Sequence, residues 1–185
     1  MAYTIPQEWK SEVWWRNRPL EERRFHMGLP RRIAESLADP PDTSPPSLTM
    51  ATPGLIIRGV TIRESVIAAR ILNAYVEAGK SGRWMDADDY IEMLKDSFDS
   101  QGGLPAMYGN PYLDKYVKGV FDVVVLDGLG EERNTEFAAH ELGTLVRKRY
   151  DRMKTTIITT QLTVSDISGR YGPRVKDAIA DFTVL

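Results

Sequence analysis

An aspartate closes an unbroken apolar run in the stretch Phe121-Asp122-Val123-Val124-Val125-Leu126-Asp127-Gly128-Leu129-Gly130-Glu131-Glu132. Aliphatic residues in a row, with no polar alternation, read as a strand buried on both faces, the habit of parallel sheets. Asp127 then stands at the carboxyl end of a central strand. Open α/β sheets take their ligands at that edge, and a carboxylate there suits a metal ion or a metal-bound water. The plain alternative is a strand cap in a Gly-rich turn. Two more groups belong to the same edge. Leu55-Ile56-Ile57 leads to Gly59, a short loop and Ser65 opening a helix. In that layout backbone N–H groups and a helix N-terminus receive phosphates, and the hydroxyl binds Mg²⁺. The run Thr155 to Thr160 with Gln161 ends a further strand on polar side chains facing the same crevice.

Holding these groups together requires strands and helices in alternation, and the chain supplies them. Ser65 to Ala78 reads as a helix, Arg83-Trp84-Met85 as a strand, and Ala87 to Phe98 as a helix with Tyr90, Ile91, Leu94 and Phe98 at helical spacing. A Gly/Pro-rich passage, Gly102 to Pro111, precedes the strand at 121–126. Glu136 to Met153 reads as a long helix, Thr155 to Thr160 as a strand, Val164 to Arg170 and Pro173 to Ala180 as short helices, and Phe182 to Leu185 as a last strand. Strands separated by helices of about ten to fifteen residues imply right-handed crossovers and a parallel sheet with helices on both faces.

Three segments are expected: a helical N-terminal extension over 1–38, a Pro-rich linker over 39–53 and the α/β core over 54–185. In the extension Trp9, Val13 and Arg16 share a helical face, and Pro19 starts a second helix running to about His26. Trp9, Trp14 and Trp15 either stack on single-stranded bases or dock the extension onto its own core or a partner.

Composition narrows the chemistry. At 185 residues, 42% hydrophobic and 27% charged, the chain lies in the globular range. No apolar run approaches the roughly 20 residues of a membrane helix, and the first residues lack the apolar core of a signal peptide, so a cytoplasmic protein is expected. The absence of cysteine excludes disulfides and thiolate metal sites, and His26 and His140 alone leave little for zinc. A metal here would be a hard cation on oxygen ligands, with Mg²⁺ the natural one. The net charge of −2 argues against a uniformly basic coat. Locally, residues 1–38 carry seven Lys/Arg against five acids, and Arg147-Lys148-Arg149 with Arg152 and Lys154 form a second basic cluster. Such clusters are solvated helix faces or phosphate-binding surfaces. His140 reads as a packed or half-exposed helix residue, and Met93, Met107 and Met153 as core or rim fillers.

Taken in order, these pieces resemble the AAA+ core of the DnaC/IstB group of bacterial and phage helicase loaders and transposition ATPases, over about residues 54–185. Leu55 to Gly59 followed by Ser65 to Ile71 is similar to the strand and helix around a Walker A loop. Val123 to Gly130 is similar to a Walker B strand with its following Leu-Gly. Lys154 to Leu162 resembles the sensor 1 segment, with Gln161 where that family usually has Asn, and Tyr171 to Asp177 resembles the box that carries a trans-acting arginine. The resemblance implies a parallel-sheet P-loop NTPase, an AAA+ core with helices on both faces. It implies nucleotide contacts from Gly59, Thr61, Arg63 and Ser65, Mg²⁺ on Ser65 and Asp127, and catalytic roles for Asp127, Gln161 and Arg174. It also implies ATP and Mg²⁺ as ligands if the site is competent, a replicative helicase or replisome protein as partner, single-stranded DNA, and like copies stacked through Arg174.

The departures are specific. Against G-x-x-x-x-G-K-[ST], the stretch Gly59-Val60-Thr61-Ile62-Arg63-Glu64-Ser65 is one residue short and lacks the second glycine and the lysine. Glu64 is expected to set a negative charge against a triphosphate, and Arg63 is a bulkier substitute cation. Gly128 follows Asp127 where ATP-hydrolysing relatives carry an acid, so Glu131 or Glu132 would have to be brought back by the turn. Arg174 is kept, but Ala178 stands where a second arginine often follows. Losses among the groups that stabilise charge in phosphoryl transfer compound, so weak or absent hydrolysis is expected. Three readings stay open: a helicase loader or replication accessory protein acting through partners and single-stranded DNA, with Arg147, Lys148, Arg149 and Arg152 as contacts; an active helper ATPase of the IstB type; or a pseudo-ATPase inhibitor of a host loader.

Overall fold

The computed structural model describes residues 12–37, 53–59, 61–99 and 119–185. Trp9, most of the Pro-rich linker, and the 102–111 passage with Met107 lie outside them, as do the side chains of Val13, Trp14 and Phe98. Among the described residues three short helices come first: α1 (Glu12–Asn17), α2 (Leu20–His26) and α3 (Arg31–Ser36). The core then runs β1 (Gly54–Arg58), α4 (Ile62–Glu77), β2 (Gly82–Asp86), α5 (Ala87–Asp99), β3 (Val123–Leu129), α6 (Glu136–Asp151), β4 (Thr155–Thr160), α7 (Val164–Tyr171), α8 (Pro173–Ile179) and β5 (Thr183–Val184). The strands form one parallel five-stranded sheet in the order β2-β3-β4-β1-β5. This is the expected α/β architecture, with α4 on one face and α5 and α6 on the other.

The pleat divides the apolar runs between two layers. Leu55, Ile57, Val123, Val125 and Ile157 pack with Ala68, Leu72 and Val76 of α4. Their neighbours Ile56, Val124, Leu126 and Ile158 pack with Ile91 and Leu94 of α5 and Leu142, Leu145 and Val146 of α6. Burying one such side chain contributes about 1.5–3 kcal/mol, which is why β3 and β4 read as continuous apolar or β-branched runs. Helix α4 crosses β2 closely: a Cβ on Gly82 would lie 2.8 Å from side-chain atoms of Leu72 and Val76.

Two boundaries differ from expectation in ways that matter for the site. Helix α4 begins at Ile62, so Ser65 lies within its first turn instead of opening it. Strand β3 starts at Val123 and continues past Asp127 through Gly128 to Leu129, with a register shift against β4 between Leu126 and Leu129.

The extension is fastened to the core. Trp15 is buried, edge-on to Phe121 with ring centroids 6.0 Å apart. Met27 and Ile33 join the α4-side core, and Arg24 donates to Asn73 Oδ1 at 2.8 Å and Glu77 Oε1 at 2.6 Å. Along β2 the Trp84 N–H donates to the Met27 carbonyl at 2.7 Å, and Arg83 Nη1 to the His26 carbonyl at 3.0 Å.

The basic cluster is split by packing. Arg149 is fully buried and donates to the Phe121 and Thr155 carbonyls at 3.2 and 2.7 Å and to Thr156 Oγ1 at 3.1 Å. It ties α6 to the starts of β3 and β4 and cannot also meet DNA, which corrects the expected contact set. Burial pulls its guanidinium down to about 9, still charged at neutral pH. Arg147 pairs with Asp151 at 2.9 Å, Lys154 with Asp122 at 2.7 Å, and Lys148 and Arg152 are exposed. His140 is exposed on α6. Met153 is not a filler: it is 83% exposed, in the turn between α6 and β4.

Candidate functional site

A cleft of about 210 Å³ opens at the carboxyl ends of β1, β3 and β4 and is closed below by the first turn of α4. Of the residues singled out in the sequence, Gly59, Thr61, Ser65 and Asp127 line it, whereas Arg63, Gln161 and Arg174 do not. Arg63 and Arg174 are exposed. Gln161 stands at the rim, where its Nε2 donates to Glu131 Oε1 at 3.2 Å.

At the centre, Ser65 Oγ donates to Asp127 Oδ1 at 2.8 Å and Thr159 Oγ1 donates to the same oxygen at 2.5 Å. Thr159 Oγ1 in turn accepts the Gly128 N–H at 2.9 Å. Burial pushes the Asp127 carboxyl above its ordinary value, and Asp86 adds to the shift, against the opposing pull of the Thr159 and Ser65 hydrogen bonds. A half-buried carboxylate in touch with a hydroxyl is an oxygen pair of the kind that holds Mg²⁺. Thr159 belongs to the set but carries no signal in the sequence beyond its place in a polar strand end.

The wall of the cleft between β1 and α4 is built otherwise than a glycine-rich loop. Thr61 caps α4, accepting the Arg63 N–H at 3.2 Å. Glu64, at the third helical position, reaches back so that its Oε2 accepts the Thr61 N–H at 3.0 Å and the Thr61 hydroxyl at 2.7 Å. This is a reciprocal capping box. A carboxylate also offsets the positive end of the helix dipole. Burial opposes ionisation of Glu64, but the Thr61 hydrogen bonds outweigh it and hold the carboxyl below its ordinary value. The Glu64 carboxylate lies so close over Gly59 that a Cβ there would be 2.1 Å from it. The anion at this helix start is therefore the chain's own side chain, a role beyond the charge repulsion expected from its type.

The turn after Asp127 is tightly specified. Gly128 has φ +71° and Gly130 φ +104°, left-handed values that favour glycine, and the Glu131 N–H donates to the Gly128 carbonyl at 2.9 Å. Glu132 is buried: Arg170 Nη2 donates to its Oε1 at 2.5 Å, the Tyr171 hydroxyl at 2.6 Å, and the Gly130 N–H to its Oε2 at 2.8 Å. Burial and the Glu132 carboxylate push the Tyr171 phenol far above its ordinary value.

On the Ser65 and Asp127 side the oxygens present suit a hydrated hard cation such as Mg²⁺. Glu64 opposes an anion on the loop side, from a half-exposed position that it holds through a cap alone. A hard cation taken up in this cleft would find its protein oxygens in Ser65 and Asp127.

No protein-family model and no curated protein sequence matches the chain. Solved structures do. The structure of the DnaC helicase loader is 24% identical over 75% of this chain and 82% of that one, with a TM-score of 0.59. DnaI is 16% identical over 97% of this chain and 90% of its own, with a TM-score of 0.55. DnaA bound to AMPPCP and single-stranded DNA is 15% identical over 90% of this chain, with a TM-score of 0.59, and the chain spans 49% of its length. The fold is thus that of the DnaC-like AAA+ P-loop ATPases. Among the described residues no helix is long and apolar enough to cross a membrane.

Proposed function

We propose that this protein is a DnaC-like replicative helicase loader or replication accessory protein that works through partner and single-strand contacts, with ATP hydrolysis weak or lost. The observation that carries the reading is the pairing of an intact Ser65–Asp127 contact at 2.8 Å with a loop whose anion seat is taken by Glu64. The metal half of a nucleotide cleft is kept, and the half that accelerates phosphoryl transfer is blunted. The likeness in fold to a helicase loader and to DnaA with bound nucleotide and single-stranded DNA supports the partner classes. The core, taken as 54–185, carries Arg174 exposed on α8 for contact with a like copy, and the extension over 1–38 with its linker over 39–53 reaches the helicase. Lys148 and Arg152, exposed at the end of α6 and in the turn after it, meet the DNA backbone.

Calorimetry with AMPPCP, with and without Mg²⁺, tests the cleft. Weak Mg²⁺-dependent binding that strengthens in Glu64→Gln and vanishes in Ser65→Ala with Asp127→Ala supports the reading. No binding by any form at millimolar nucleotide refutes it. Single-strand binding should weaken steeply with salt and fall in Lys148→Glu with Arg152→Glu; binding indifferent to both removes the DNA claim. Co-purification with a bacterial replicative helicase checks the partner class.

A further inference from the structure

We infer that the outer edge of β2 docks an extended segment of a partner protein, added to the sheet as a further strand, with a lysine or arginine of that segment set against α5. None of the residues involved lines the cleft described above, and the inference stands independently of the nucleotide reading. Strand β2 is an outer strand, paired to β3 alone. The Val123 N–H donates to the Ser81 carbonyl at 3.1 Å. In a parallel ladder the backbone groups of Arg83 and Met85 then also turn toward β3, and those of Trp84 and Asp86 turn outward. The Trp84 N–H agrees, since it leaves the sheet to reach the Met27 carbonyl at 2.7 Å. Beyond that contact the outward groups are the Trp84 carbonyl and the Asp86 N–H, and among the described residues neither is taken. A residue placed opposite Met85 in parallel register donates its N–H to the first and accepts from the second, the arrangement by which a bound peptide extends a sheet.

The same register fixes where the side chain of that residue goes. Paired residues share a face of the sheet, and Met85 belongs to the face covered by α5. A hollow of about 370 Å³ lies there, with Pro30, Met85, Tyr90 and Met93 as its apolar lining and Asp86 and Asp89 as its carboxylates. Charge selects the occupant. Asp88 and Asp89 form the first turn of α5, and Asp86 spends one oxygen on the N–H groups of both, at 2.9 and 3.2 Å. Burial, then the crowding of Asp86 and Asp88, pushes the Asp89 carboxyl above its ordinary value, and a cation brought beside it relieves that crowding. Arg83 also lines the hollow, but its guanidinium donates to the His26 carbonyl at 3.0 Å and lies so close to Gly28 that a Cβ there would be 2.8 Å from its Cζ. A lysine or arginine meets both halves of the site: its methylene stem covers Met85 and Met93, and its charged end reaches Asp89 beside the Tyr90 ring. Apolar neighbours in the segment suit an added strand better than further charges.

The test selects short peptides from a library with randomised flanks and lysine, arginine, alanine or glutamate at the centre, on the full-length chain and on Asp89→Lys and Asp89→Asn. Asp89 is exposed, and the amide spectrum of each variant confirms its fold. Peptides with a basic centre should be enriched about tenfold or more over those with glutamate on the wild type, the preference should vanish on Asp89→Asn, and it should reverse on Asp89→Lys. The best peptide is then titrated into the ¹⁵N-labelled wild type, where the Asp86 amide should shift with saturation. Methylating the central peptide nitrogen removes the donor to the Trp84 carbonyl and should weaken binding by about tenfold, the scale of one lost hydrogen bond. A library that yields no basic centre overturns the inference, as does a preference that Asp89→Lys leaves unchanged or a set of shifts away from β2 and α5. Dimerisation of the free chain that the peptide competes away makes a second copy the occupant and overturns the assignment to a partner.

Discussion

Ser65 Oγ donates straight to Asp127 Oδ1 at 2.8 Å, so helix α4 and strand β3 are joined by a hydroxyl–carboxylate contact. Burial holds the Asp127 carboxyl above its ordinary value, which means that ionising it there costs stability at neutral pH. Millimolar Mg²⁺ should raise the melting temperature of the wild type by a few degrees, as ligand binding to the folded state does. Asp127→Asn should melt higher than metal-free wild type and show no Mg²⁺ increment. About 1 kcal/mol corresponds to roughly 2–4 °C in a chain of this size, well within the reach of differential scanning calorimetry.

Arg149→Met should be strongly destabilising. The side chain satisfies the Phe121 and Thr155 carbonyls and Thr156 from a fully buried position, and removing it orphans them together. The expected loss is about 3–5 kcal/mol, the scale for breaking a buried charged network, read from urea unfolding. Arg149→Lys should recover only part of it, because an ammonium cannot reach three acceptors with a planar fork. Lys148→Ala, one residue away and exposed, should change stability by less than about 0.5 kcal/mol.

Acid stability should depend on Asp122. Burial alone would raise its carboxyl, but hydrogen bonds from Lys154 and Ser81 outweigh burial and hold it below the ordinary 3.8. A carboxyl lowered in the folded state contributes stability that is present above its unfolded value and is lost as pH falls through its folded one. The wild type should therefore lose this contribution only below about pH 4. In Lys154→Met most of the contribution should already be missing at neutral pH, leaving a flatter stability profile over the acid range. A series of urea midpoints from pH 6 to pH 3 measures the difference.

Met153→Gly should stabilise the protein. Met153 has φ +56° and is 83% exposed, so it bears a backbone penalty and contributes little packing. Relief of a left-handed non-glycine residue is worth about 1 kcal/mol, partly offset by the greater freedom of glycine in the unfolded chain. A rise of a few degrees in melting temperature is the expected outcome.

The strand pattern and its sheet were legible because burial on both faces leaves an unmistakable trace: Val123 to Leu126 and Thr155 to Thr160 alternate between two cores, and both cores demand aliphatic or β-branched residues. Asp127 and Ser65 were placed by the same logic, since strand ends and helix starts meet at one edge. The start of α4 at Ile62 is encoded locally by Thr61-Ile62-Arg63-Glu64, the signature of a capping box, which the glycine at 59 and the serine at 65 overlay with the outline of a phosphate loop. The inward turn of Arg149 was legible only from helical phase: it shares a face with Leu142, Leu145 and Val146, and charge alone hides that. The conformation of Gly128 and the return of Glu131 depend on a turn closed by Glu132 with residues nearly forty positions later, and no local pattern encodes such a closure.

The hydrogen bond from Trp84 to Met27 has a meaning for solubility. Strand β2 is an outer strand of the sheet, and an outer strand with bare N–H and C=O groups is a template on which a second sheet can grow. The segment joining α2 to α3 takes up the Trp84 N–H, and Arg83 grips the same segment from beside it. The docked extension therefore takes one hydrogen-bonding group of that edge out of reach of a second sheet.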